Sequence, residues 1–297
     1  MRALLSAEFL RLRSRKLPVM LLVIGVAVAA LVGVFAFTSS QKPVDDAQVE
    51  KRRAQCLEQI RRGGRLDPRI EEQTCSNQFV GDRRFRLASA LPDITRGVAR
   101  QLLPVLAVVM GASLIGAEWA SGNMQTLLTW EPRRGRVLAA KLAAGGAAAF
   151  VGAVVVLLLL VAAVMPATLA RGTAAGANGS FWWSMAGLWL RGGFVAASAA
   201  LIGMTLASIA RNTAAPIVLW FLYGIAESLI GLWRNGKLRP LLLSENLNHV
   251  LGLASFGSSG RFSTMAPRSA LAATGVVLCY LAVVTGAAYA TFISKDI

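Results

Sequence analysis

Few side chains in this 297-residue sequence belong to the types that carry out catalytic chemistry. His249 is the single histidine, so a multi-histidine metal site is excluded. Of the three cysteines, Cys56 and Cys75 are too far apart to form a CxxC pair, and Cys279 stands alone in an apolar run. We therefore expect no catalytic residue and no metal site on this chain.

One stretch, GASLIGAE, begins like a phosphate-binding loop. Gly111 and Gly116 have the required spacing, but Ala117 and Glu118 stand where such loops carry a lysine and a hydroxyl residue. The stretch also lies inside an apolar segment. We therefore expect no nucleotide and no other cofactor on this chain.

Cys56 and Cys75 could be joined to each other. The stretch DDAQVEKRRAQCLEQIRRGG begins with acids and ends with bases, which suits the dipole of a helix. Asp67 and Pro68 resemble the start of a second helix. A disulfide would then staple a helical hairpin, provided that the segment lies in an oxidising compartment. The alternative is two free thiols on a flexible loop.

The composition is that of a membrane protein. Hydrophobic residues make up 55% and charged residues 15% of the chain, against roughly 25% charged residues in a soluble domain. Six apolar runs are long enough to cross a bilayer as helices, and they lack the alternation of barrel strands. We predict an all-α integral membrane protein with six transmembrane helices. The spans are predicted at 17–38, 99–117, 142–166, 183–210, 212–233 and 269–294.

The segments between the spans can be assigned to the two sides of the membrane. The short segments 1–16 and 118–141 carry five and four basic residues beside predicted spans, which places both in the cytoplasm, together with both termini. Segment 41–100 holds 13 basic residues but also nine acids, and loops of about 60 residues cross the membrane largely regardless of charge. Segment 1–16 is predicted as an amphipathic helix. Segments 39–98, a helical hairpin, and 234–268 then lie outside. The net charge of +16 is spread over both sides, which favours contact with anionic lipid and not with nucleic acid.

The cytoplasmic segment 118–141 contains a short amphipathic pattern. Met124, Leu127 and Leu128 share one face of a helix, to which Trp130 could add, and Pro132 ends it. An apolar face with a basic flank is suited to docking on a cytosolic protein. The alternative is a generic basic loop that only orients the chain.

The order of residues in this segment resembles that of type-two ABC transporter permeases: Glu118, Gly122, a short apolar helix, Pro132, Arg136 and Lys141. The six spans and the amphipathic first segment are similar to the layout of that family. The stretch LRPLLLSENLNHVLGL resembles its re-entrant hairpin before the last span. The resemblance implies that 118–141 holds the coupling helix that engages the ATPase. We expect coupling at Glu118, Gly122, Met124, Leu127, Leu128, Pro132, Arg133, Arg134, Arg136 and Lys141.

The resemblance implies the permease subunit of an ATP-driven exporter in a bacterial plasma membrane. It would form a homodimer with two cytosolic ATPase subunits, which bind ATP and Mg²⁺, and would transport a lipid, a peptide or a hydrophobic drug. A membrane sensor or immunity protein that binds a ligand through 39–98 is the alternative, and it would need no ATPase. A membrane hydrolase fits less well because no acid–base constellation is present.

Two charges, Arg191 and Glu227, lie within predicted spans. A charge inside a bilayer is costly, so it usually has a partner or a wet surface. The two side chains could pair with each other. In the alternative, Arg191 extends to the membrane interface and Glu227 faces an aqueous vestibule.

Overall fold

A computed structural model describes residues 2–40, 46–63, 75, 84–130, 133–232, 239–253 and 269–294. Nearly all of these residues lie in helices. The helices are α1 (Arg2–Ser14), α2 (Lys16–Ser39), α3 (Asp46–Gly63), α4 (Leu87–Gly97), α5 (Leu103–Ala120), α6 (Asn123–Trp130), α7 (Arg134–Arg171), α8 (Gly179–Ala210), α9 (Ala214–Leu232), α10 (Leu243–Val250) and α11 (Ala270–Ser294). Two short strands are β1 (Phe85–Arg86) and β2 (Gly172–Thr173).

Within the described residues, five helices are long and apolar enough to cross a membrane. They are Lys16–Ser39, Leu87–Ala120, Arg134–Arg171, Gly179–Ala210 and Ala270–Ser294. Many large apolar side chains on them are exposed, as contact with lipid requires. An all-α membrane protein therefore fits. Helix α9 occupies the position of the predicted fifth span but is shorter, so the sixth crossing stays a prediction.

Two helices begin earlier than the spans predicted within them. The third span was expected from 142, but α7 begins at Arg134, because arginine, alanine, leucine and lysine continue a helix well. Of the basic residues assigned to a loop, Arg134, Arg136 and Lys141 therefore lie on the first turns of this helix. The second span was expected from 99, but helical structure extends back to Leu87, into the predicted outside loop.

A π-helical turn, Val98–Leu102, joins α4 to α5. Pro104 follows it at the start of α5 and has no backbone N–H for the usual bond to the carbonyl of Arg100. Because Pro104 cannot make this bond, the helix can change from α-helical to π-helical hydrogen bonding at this point. π-Turns inside helices are rare and recur at functional sites.

The chain divides into two compact units. The larger unit contains Met1–Val26, Ile94–Leu158 and Met185–Ile297. Within it, close contact between α5 and α8 depends on glycine. A Cβ atom at Gly203 would lie 2.6 Å from the carbonyl oxygen of Val108, and one at Gly111 would collide with the carbonyl of Ala200.

The second unit contains Ala27–Asp93 and Leu159–Ser184. In this unit Cys56 and Cys75 form a disulfide with a Cα–Cα distance of 6.0 Å, so the predicted pairing is present. Strands β1 and β2 pair in parallel, with Phe85 opposite Gly172. The guanidinium of Arg171 donates to the carbonyl of Phe37 at 2.9 Å, which satisfies a carbonyl near the end of α2.

Some expectations concern residues outside the described ranges. They include the helix break at Pro132, the second helix of the disulfide hairpin except Cys75, and the parts of 234–268 on either side of 239–253. Those expectations stay predictions.

Candidate functional site

A sharp turn at Gly122 separates α5 from the short helix α6. Gly122 has a φ of +73°, which only glycine adopts without strain. Its N–H donates to the carbonyl of Trp119, and its own carbonyl accepts from Gln125 in the first turn of α6. The glycine of the sequence pattern thus has a backbone role, which is to redirect the chain into α6.

The apolar side of α6 packs on the protein itself. Met124 has no exposed surface and belongs to a buried cluster with Leu138, Met204 and Phe292. Leu128 is partly buried against the same cluster. Both were expected to contact a partner protein. In this structure they fix α6 to the ends of α5, α7, α8 and α11.

The exposed surface of this segment is formed by other residues. Trp130, the last residue of α6, is 85% exposed. Leu127 is half-buried, and Arg133 and Arg136 are exposed beyond it. A large exposed indole on an anchored helix is a suitable anchor for a protein partner, because tryptophan is enriched among the residues that dominate binding energy.

Glu118 and Lys141 lie in a buried chain of charges. Lys141 Nζ lies 2.6 Å from Glu118 Oε2 and 2.9 Å from Glu8 Oε1. Glu118 Oε1 lies 2.5 Å from Arg15 Nη2. Only 3% of the Lys141 side chain and 5% of the Glu118 side chain are exposed. We refer to Glu8, Lys141, Glu118 and Arg15 as the charge chain.

The charge chain ties α1 to the segment that leads into α6. Glu8 lies on α1, and Arg15 follows its end and also donates to the carbonyl of Leu114 at 3.1 Å. Glu118 is near the end of α5, and Lys141 is two turns into α7. Signs alternate along the chain, so each buried charge has an opposite neighbour, as burial requires. The arrangement holds α1, α5 and α7 together at one place.

Glu8 and Arg15 were not among the predicted coupling residues. Glu8 is the only acid among the first 44 residues and stands among several bases, which is the one signal that the sequence offered. Its partner Lys141 is 133 positions away, and such a pairing cannot be read from one sequence. Arg15 was counted only as part of a basic segment.

A basic cleft lies beside the beginning of α7. It has a volume of about 520 Å³ and is lined by Arg133, Arg134 and Arg136 together with Tyr289 of α11. These three arginines therefore face a common space and not the buried core. Of the three, Arg133 and Arg136 are exposed at the protein surface.

The two charges in the predicted spans have different surroundings. Glu227 is 6% exposed, and its two carboxylate oxygens accept from the Ser244 N–H at 3.1 and 3.2 Å, at the start of α10. The Tyr223 hydroxyl accepts from the N–H of Leu243 at 3.3 Å. Arg191 is exposed, and no ion pair joins it to Glu227 within the described ranges. Glu227 therefore serves α10 as a carboxylate cap, a role that sequence reasoning did not identify.

Among residues that the structure describes, no three histidine, cysteine, aspartate or glutamate side chains form a group that could hold a metal ion. Cys279 is exposed and unpaired, and His249 lies in the last turn of α10.

The comparison with protein families gives a match to nearly the whole chain. The family described as "ABC-2 family transporter protein" matches residues 6–297. No curated protein shows significant similarity to the chain.

Proposed function

Because the chain belongs to the ABC-2 transporter family, it is a membrane permease component of an ABC transporter, and we propose that it forms the translocation path of an exporter. The family implies a partnership with an ABC ATPase subunit. In our proposal two cytosolic ATPase subunits, which bind ATP and Mg²⁺, act on two permease copies in a bacterial plasma membrane. The exported substrate is hydrophobic or amphipathic.

The anchoring of α6 to the rest of the permease supports the coupling part of this proposal. Met124 is buried in the core, and Glu118 and Lys141 lie in the charge chain on the two helices that flank α6. A helix anchored in this way moves with α5 and α7 and not independently of them. Force applied to its exposed end is therefore passed to two apolar helices.

The exposed end of α6 is the contact that we assign to the ATPase. Trp130 would enter a groove of that subunit, while Arg133 and Arg136 lie at the rim, where exposed ion pairs contribute little. Leu127 could add apolar area next to the indole. Glu118, Met124 and Lys141 then act from within the permease as positioning residues, and Gly122 sets the direction of α6.

Substitution of Trp130 tests this assignment. The Trp130→Ala permease is expected to bind its ATPase about 30-fold more weakly, because an interface tryptophan of this kind contributes about 2 kcal/mol or more. ATPase activity stimulated by the permease should fall with it. The measurement is co-purification and stimulated ATP hydrolysis in reconstituted vesicles.

Trp183→Ala is the matched control, since Trp183 is also 82% exposed but lies at the start of α8. It should leave ATPase binding unchanged. Normal ATPase binding and coupled transport in the Trp130→Ala permease would contradict the coupling assignment. A native preparation in which no ATPase accompanies the permease would favour the sensor or immunity protein instead.

A further inference from the structure

The basic cleft beside the beginning of α7 is lined by two arginines whose charges are not used within the described residues. Arg133 and Arg136 are exposed, and neither guanidinium makes a hydrogen bond or an ion pair in the part of the chain that the structure describes. Arg134 also lines the cleft, but it already interacts with another group and is not counted here. Two such charges beside a space of about 520 Å³ indicate a site for an anionic group.

A hydrogen-bond donor lies on the opposite wall of the cleft. Tyr289 of α11 is 51% exposed, and its hydroxyl makes no hydrogen bond to any residue in the described ranges. Its ring lies against the backbone of α7, where a Cβ atom at Gly135 would be 2.6 Å from the Cε2 atom of the ring. The glycine at 135 therefore lets the ring approach α7, and the hydroxyl can donate to an anion in the cleft.

The cleft opens onto an exposed side of α7. Beyond Arg136 the exposed positions recur at intervals of three or four residues, which corresponds to one face of a helix, and they are Ala139, Ala143, Ala147, Val151 and Val155. An apolar side that stays exposed along a membrane span is suited to contact with acyl chains. Arg136 therefore lies at the end of an apolar stripe.

Helix α11 shows the same arrangement. Its exposed positions also recur at intervals of three or four residues and are Ala282, Gly286, Tyr289 and Ile293. Ile293 lines the cleft with Tyr289, and the neighbouring Phe292 packs with Leu138 of α7 in the buried cluster. The two helices thus meet at the cleft, and an exposed apolar stripe leads away from it on each of them.

The cleft also lies at the depth of lipid head groups. No charged residue occurs between Lys141 and Arg171, and Arg136 precedes the first residue of that run by about 9 Å along the helix axis. The polar layer of each leaflet is about 5–8 Å thick, and an arginine side chain can extend back toward it. Tyr289 lies near the end of α11, and tyrosine is enriched at this level of a membrane.

We propose that the cleft binds an anionic phospholipid of the leaflet into which it opens. The head-group phosphate lies at Arg133 and Arg136 and accepts from the Tyr289 hydroxyl, while an acyl chain follows the stripe that begins at Ala139. A second permease copy fits less well, because copies in one membrane are parallel and would bring another basic cleft to the same depth. This lipid goes beyond the proposed function, since it is a fixed component of the permease surface and not the exported substrate.

Lipid binding to the purified full-length permease tests the proposal. Dioleoylphosphatidylglycerol should bind at least about tenfold more tightly than dioleoylphosphatidylcholine, because the chains are the same and each nearby arginine favours a lipid with net negative charge. Affinities are measured by native mass spectrometry in a neutral detergent, and equal affinities would overturn the proposal. Free glycerol phosphate is the second probe. It should bind much more weakly than the lipid, and binding as tight as that of the lipid would overturn the assignment to a membrane source.

The double variant Arg133→Gln/Arg136→Gln removes the two charges. It should bind dioleoylphosphatidylglycerol about tenfold more weakly and dioleoylphosphatidylcholine as before. The matched control is Arg13→Gln/Lys16→Gln, because both are exposed bases that are predicted on the same side of the membrane and neither lines the cleft. The control should bind both lipids as the wild type does. An equal loss in the two double variants would show a general attraction to basic surface and would contradict a site.

Ala139→Trp fills the cleft and retains every charge. Ala139 lines the cleft and is exposed, so the larger side chain enters the space and not the core. Binding of dioleoylphosphatidylglycerol should fall to the level of dioleoylphosphatidylcholine. Ala162→Trp is the control, since Ala162 is exposed about 35 Å farther along the same helix.

Undiminished lipid binding by both the arginine variant and Ala139→Trp would overturn the proposal. Normal lipid binding by the arginine variant together with weaker ATPase binding would assign the cleft to the ATPase instead, and would overturn it as well. The lipid measurement contains neither ATP nor ATPase, so its failure leaves the result of the Trp130 experiment independent.

Discussion

At the scale of single residues, the charge chain explains why Glu118 and Lys141 occur where they do. Each is almost fully buried, and each has an oppositely charged neighbour within 3 Å. Burying a charge without a partner costs several kcal/mol, so these side chains depend on one another. Their role is to hold helices together near α6, and neither side chain is exposed for contact with another protein.

Removal of Lys141 should therefore destabilise the permease. Lys141→Met removes the cation that Glu8 and Glu118 share and leaves them with Arg11 and Arg15 respectively, at an expected cost of up to about 3 kcal/mol. The double variant Lys141→Met/Glu118→Gln should lose less than the sum of the single losses. The measurement is thermal unfolding of the detergent-solubilised protein, followed by circular dichroism.

The matched control is Arg136→Met, because Arg136 is an exposed base on the same first part of α7. Its expected cost is within about 0.5 kcal/mol. Additive losses in the Lys141 and Glu118 variants would show that the two side chains are not energetically coupled.

At the scale of helices, the close approach of α5 and α8 depends on two glycines. Gly111 and Gly203 each face a backbone carbonyl of the other helix. Small residues at such positions let two helix backbones come close, which is a common means of helix association in membranes. The contact brings the end of α5, and with it Glu118, into a fixed place.

Gly203→Ala should weaken this contact even though alanine is the better helix former. Its Cβ atom would lie 2.6 Å from the Val108 carbonyl oxygen, so the two backbones must separate, at an expected cost of about 1–3 kcal/mol. Gly187→Ala in the same helix is the control, since its Cβ atom meets nothing within 4 Å. Thermal unfolding of the two variants gives the comparison, and equal stability would contradict the close contact.

The helices could be predicted from the sequence more completely than the contacts between them. Apolar runs marked the long helices, but the start of α7 at Arg134 was missed because charged residues were taken as a sign of a loop. The apolar face of α6 was recognised at Met124, yet periodicity does not reveal whether the chain itself or a partner covers that face. The ion pair between Glu8 and Lys141 is formed only after distant segments have packed.

At the scale of the whole molecule, the disulfide and the basic segments give consistent information about the two sides of the membrane. The bond between Cys56 and Cys75 is typical of an oxidising compartment. The arginines beside α6 follow the bias of short cytoplasmic segments. We therefore expect the disulfide segment outside the cell and α6 in the cytoplasm.

Labelling of single cysteines in intact cells tests this orientation. In a Cys279→Ser background, an impermeant maleimide should label Lys51→Cys and should not label Arg133→Cys until the membrane is opened. Both positions are exposed in the structure, so access depends on the side of the membrane. Labelling of Arg133→Cys in sealed cells would reverse the orientation.

The charge chain also bears on how the protein responds to membrane voltage. Its two acids and two bases sum to zero, so a movement of all four side chains together transfers no net gating charge. A single unpaired charge that crossed the full field would involve about 2.3 kcal/mol per 100 mV. The charge chain itself therefore adds no net gating charge to a movement of α1, α5 and α7.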